Sequence, residues 1–65
     1  MTKEIMQQYE AIRKSSATNM FNYNNVIRYA EQFGFDELAE VSYEEYKNIL
    51  NNFSKYMKEF DIKQN

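Results

Sequence analysis

Apolar residues recur along this chain at steps of three and four, the spacing of a helix face, rather than at the period of two that marks a half-buried strand. Ile5, Met6, Tyr9 and Ile12 share one face of the first segment. Thr2 stands before it as a cap, Glu4 favours its positive end, and Arg13 and Lys14 suit its negative end. The pattern predicts a helix over residues 3–14. A second face carries Tyr23, Val26, Ile27, Ala30 and Phe33, and Gly34 stops it, because a left-handed residue without a Cβ is unstrained there. That gives a helix over 23–33, with Phe35 folding back on Ala30 or a neighbour.

Further on, Asp36 is expected to cap a short helical turn over 37–41 that adds Leu38 and Val41 to the core. Ser42-Tyr43-Glu44-Glu45 reads as a capping box, in which Ser42 and Glu45 each satisfy an amide of the other's backbone. It opens a third helix over 43–60, striped by Tyr46, Ile49, Leu50, Phe53, Tyr56, Met57 and Phe60, with a tail from Asp61 expected to fray. The connector Thr18–Val26 joins the first two helices. Asn22 is its expected N-cap, bonding the amide of Asn24 or Asn25. Phe21 and Val26 fall at the positions of a hydrophobic staple, so Met20 and Phe21 are both expected to point inward.

The expected architecture is all-α, a small three-helix bundle with a short connecting helical turn, in one domain over residues 1–65. A straight helix over 43–60 is roughly 27 Å long, whereas the other two are roughly 16–18 Å. Tyr56, Met57 and Phe60 are therefore either covered by the first helix or free to form a homodimer face.

Composition narrows the chemistry. The chain has 65 residues with no His and no Cys, so there is no disulfide, no thiolate metal site and no histidine to serve as the usual general base or metal ligand. No nucleophile elbow or glycine-rich phosphate loop is present. The pairs Asp36/Glu40, Glu37/Glu40 and Glu40/Glu44 lack the spacing of a calcium loop and read as a solvated acidic edge. The expectation is a protein that is not an enzyme, with no cofactor and no metal. No apolar run approaches the roughly 18 residues that span a bilayer, and residues 1–10 contain no apolar signal core, so a soluble cytoplasmic protein without membrane contact is expected.

Eight basic and ten acidic side chains leave a net charge of -2, which gives no general attraction to nucleic acid. Ala30 and Gly34 do have the spacing of a helix-turn-helix. Its reading helix, however, would cover 36–45, with five carboxylates and no Lys or Arg to face phosphate. The same acids favour a basic surface on another protein. The dipole of a helix N-terminus explains Glu44 and Glu45 but leaves Asp36, Glu37 and Glu40 over. With tyrosines as anchors, the expected partner-binding residues are Asp36, Glu37, Glu40, Tyr43, Glu44 and Tyr46.

Ile12-Arg13, Ser15, Thr18-Asn19-Met20-Phe21-Asn22, Val26, Ala30, Gly34-Phe35 and Leu38 together resemble a family of small phage and prophage proteins of unknown function with a Thr-Asn-Met-Phe-Asp/Asn motif. Members of that family usually carry Asp at the place of Asn22 and often Gly near Ala17. After Leu38 this chain departs with its own tyrosine-rich segment. The resemblance brings no catalytic residues and implies a phage of a low-GC Gram-positive host. The expected role is an accessory protein that binds and inhibits or redirects a host or mobile-element protein in the bacterial cytoplasm, such as a defence nuclease, a repressor or a replication factor. The alternative is a homodimeric structural or DNA-associated regulator of helix-turn-helix-like type.

Overall fold

The helices that open at Lys3, Tyr23 and Tyr43 begin where a side chain satisfies one of their free backbone amides, and a left-handed residue follows the first two. A computed structural model describes residues 1–63. Among them lie five helices and no strand: α1 (Lys3–Ser15), α2 (Tyr23–Phe33), α3 (Asp36–Ala39), α4 (Tyr43–Asn51) and α5 (Phe53–Glu59). The all-α expectation holds.

Local caps stand where the sequence places them. Thr2 accepts from the Ile5 amide at 3.2 Å, and Asn22 accepts from the Asn25 amide at 3.2 Å. Both halves of the Ser42/Glu45 capping box form. Gly34 is left-handed at φ 76°; its amide donates to Glu31 at 3.3 Å and the Phe35 amide to Ala30 at 2.8 Å, the paired bonds of a Schellman ending. Phe35 then meets Phe33 edge to face at 5.8 Å, which leaves Phe33 45% exposed rather than on the core face.

The third predicted helix is two. At Asn52 the backbone turns to φ -125°, ψ 24°, and the Asn52 side-chain amide donates to the Asn48 carbonyl at 3.1 Å. The Asn52 backbone amide also donates to the Asn48 carbonyl, at 3.0 Å, so main chain and side chain share that acceptor where α4 ends, and adjacent Asn51 and Asn52 are both weak helix formers. The break keeps both halves on the core: Ile49 and Met57 are each fully buried. A straight helix over 43–60, at roughly 27 Å, would match the molecule's longest extent of 26 Å.

One helix start also departs from expectation. Phe35, not Asp36, is the N-cap of α3, and its side chain makes no capping bond. Past α5, Asp61 is left-handed at φ 55° and the Ile62 amide donates to Met57 at 2.9 Å, a second Schellman-type ending that lays Ile62 against the core; residues 64–65 of the tail expected to fray lie outside the described residues.

Met6, Tyr9, Ile12, Val26, Ala30, Leu38, Val41, Tyr46, Ile49 and Met57 form the buried core. A row of rings crosses it, from Phe53 to Tyr9 (5.5 Å), Tyr46 (5.9 Å), Tyr23 (5.5 Å) and Tyr43 (5.5 Å). Arg13 lies over Phe53 at one end and Lys47 over Tyr43 at the other. Glu10, itself buried, accepts from Arg13 Nε and Nη2 in a two-point pair, so its charge is compensated where it is desolvated. Among the described residues, no helix is long and apolar enough to cross a membrane.

Candidate functional site

The connector after α1 closes on itself before it reaches the surface. Asn19 accepts from the Phe21 amide through its side chain at 2.9 Å, and its carbonyl accepts from the Asn22 amide at 3.0 Å. Asn is suited to this because its side chain can stand in for a backbone turn. The Tyr46 hydroxyl donates to the carbonyl of Met20 and holds the turn against the core. Met20 packs inward as expected, but Phe21 does not: it is 79% exposed. The staple with Val26 therefore does not form. A turn fixed at Asn19 and at Met20 leaves Phe21 on its outer side.

Beside Phe21 lies a second outward ring. Tyr23 donates to the Val41 carbonyl at 2.7 Å, tying the start of α2 to the link between α3 and α4. Tyr43, the first residue of α4, stands edge-on to Tyr23 and is 57% exposed. Asn19, Phe21, Asn22, Tyr23, Asn24 and Tyr43 line an open cleft of about 570 Å³. At its edge Lys47 Nζ sits 5.2 Å from the centre of the Tyr43 ring and 3.3 Å from Glu44.

Of the six expected partner-binding residues, Asp36, Glu37, Glu40, Tyr43 and Glu44 are exposed. Tyr46 is not: it is the largest fully buried side chain, and burial, with Tyr9 adding, pushes its phenol well above the usual range. It belongs to the core because it begins the apolar stripe that Ile49 continues. Glu37 is committed within the molecule. The Gln8 amide donates to it at 2.9 Å, while the Gln8 oxygen accepts from the Leu38 amide at 2.9 Å. Gln8 thereby caps α3 from another helix, replacing the cap that Phe35 cannot supply. Its bond holds the Glu37 carboxyl below the usual range. Among the described residues, no three acids gather closely enough to hold a metal ion.

The other surfaces weighed from sequence are also changed. Met57 is fully buried, while Tyr56 and Phe60 are half-buried and stack at 6.5 Å, so these three do not form one free apolar face. Residues 36–45 are not one reading helix but α3, a link at residues 40–42, and the first turn of α4. Phe21, Tyr23, Asn19 and Asn24 were absent from the expected site. Their signal was the run of asparagines around Phe21, which reads equally well as turn chemistry alone.

A family model described as "Domain of unknown function (DUF5049)" matches residues 1–57. The chain belongs to this family. The match runs through α4 and into α5, so what this chain shares with the DUF5049 family is not confined to the motif region before Leu38. No curated protein and no solved structure matches.

Proposed function

We propose that this member of the DUF5049 family is a non-enzymatic accessory protein of a phage or prophage that binds a protein of its bacterial host, or of a rival mobile element, and inhibits or redirects it. The binding face is the cleft between Phe21 and Tyr43, with Glu44 at its edge and the exposed acids Asp36 and Glu40 on the segment that leads to α4. The observation that carries this reading is the exposure of Phe21 and Tyr43 on one cleft. Phe21 forgoes burial that would contribute about 1.5–3 kcal/mol to a small fold, Tyr43 beside it is more than half exposed, and aromatic side chains set together at a surface are the common anchors of interfaces. The acids contribute steering toward a basic partner. The phage setting rests on the motif around Thr18–Asn22.

Affinity capture from extracts of a Gram-positive host tests the proposal, comparing the tagged wild-type chain with a Phe21→Ser/Tyr43→Ser variant. A bacterial protein retained by the wild type and lost with the folded variant supports it. Identical sets of captured proteins would remove the cleft as the binding face.

A further inference from the structure

The edge of the cleft already attracts a cation from within the chain. Lys47 reaches the face of Tyr43 at 5.2 Å and Glu44 at 3.3 Å, so a ring face and a carboxylate converge on one ammonium. Glu44 is 80% exposed and Lys47 46%, and an exposed pair of flexible side chains contributes little and yields readily to a competitor. The carboxylate at this edge is Glu44, the second residue of α4, and the segment that leads into α4, residues 36–45, contains five acids and no Lys or Arg. Across the cleft stands Phe21, 79% exposed. The floor supplies amides. Asn19 and Asn22 spend their side-chain oxygens on the Phe21 and Asn25 backbones, so their NH2 groups remain as donors for an incoming main-chain carbonyl.

We infer that the cleft takes an arginine-bearing segment of the partner protein, its guanidinium displacing Lys47 from the Tyr43 face and pairing with Glu44. This rests on the proposal that the cleft is a protein-binding face, and it names the chemistry of what enters. Arginine suits the site better than lysine, because a planar, weakly hydrated guanidinium stacks on a ring while its fork engages a carboxylate. A phosphate-bearing strand could use the same rings but would be repelled by the Glu44 carboxylate at the edge.

The test is a 15N–1H NMR titration of the whole chain with the blocked peptide Gly-Ser-Arg-Ser-Gly at millimolar concentration, with its Lys and citrulline counterparts and with oligo(dT). The arginine peptide shifts amides of 19–24 and 43–47, binds about threefold more tightly than the lysine peptide, and loses about tenfold on Tyr43→Leu. Lys47→Gln, which removes the internal competitor, tightens it about threefold. Arginine and citrulline peptides that bind alike, shifts confined to other segments, or no shift at all would overturn the inference. So would stronger binding of oligo(dT) at these amides, or spectra that change there with protein concentration alone, which would assign the cleft to nucleic acid or to a second copy. If the peptides fail while capture of a bacterial protein still depends on Phe21 and Tyr43, only the arginine assignment falls. If both fail, the binding face falls with it.

Discussion

The hydroxyl of Tyr46 donates to the main-chain oxygen of Met20, so the largest fully buried side chain anchors the residue next to Phe21, the most exposed large apolar one. Core and cleft are coupled through that bond. Tyr46→Phe keeps the ring and its packing but leaves the Met20 carbonyl without this partner. The expected loss is about 1–3 kcal/mol, read as a lower urea midpoint, together with faster hydrogen exchange at residues 20–22. Unchanged exchange there would separate the turn from the core.

Gln8 caps α3 across the fold, and the cap is absent from any local reading of residues 35–39. Gln8→Ala should cost about 1 kcal/mol and release Glu37. In the wild type Glu37 titrates below the ordinary value, so it contributes stability that is present above the unfolded pKa and lost as pH falls through the folded one. The carboxyl carbon shift of Glu37, followed by NMR in acid, should move back toward the ordinary glutamate value in the variant.

Alkaline stability should be set by Tyr46 and Tyr9. Burial raises both phenols; at Tyr9 the nearby Arg13 opposes that rise and Glu10 adds to it. A raised folded pKa means that the native state holds its protons where the unfolded chain would release them. This stability is complete below the ordinary phenol value of about 10 and declines as pH climbs above it. Absorbance of tyrosinate should show these two among six tyrosines ionising late, together with loss of helix by circular dichroism. Ionisation of Tyr46 and Tyr9 at the ordinary phenol value while the helices persist would contradict the burial of these two.

Gly34 holds φ 76°, and a Cβ built there meets nothing within 4 Å. Gly34→Ala should therefore cost only the left-handed backbone penalty, about 1–2 kcal/mol, visible in thermal denaturation. A larger loss would mean that the ending packs more tightly than its open surroundings allow.

What could be read from the sequence was what nearby residues decide. Thr2, Asn22, Gly34 and the Ser42/Glu45 box act within a few residues of themselves, and each performs its expected role. Tyr46 stands both in the stripe continued by Ile49, Leu50 and Phe53 and among acidic neighbours, and the stripe decides its place. The rest was decided at a distance. Gln8 meets Leu38 from 30 residues away and Tyr46 meets Met20 from 26, and no local pattern encodes either contact. With Met20 held by that second contact, Phe21 lies on the outer side of the turn, so a connector expected to point it inward contributes to the candidate surface.

The central claim is that Phe21 and Tyr43 form a binding face rather than part of the support of the fold. Calorimetric titration of the captured partner against the wild type and the Phe21→Ser/Tyr43→Ser variant tests it most directly, once circular dichroism shows that the variant is folded. The claim predicts affinity at least about tenfold weaker in the variant. Equal affinity in the folded variant would contradict it.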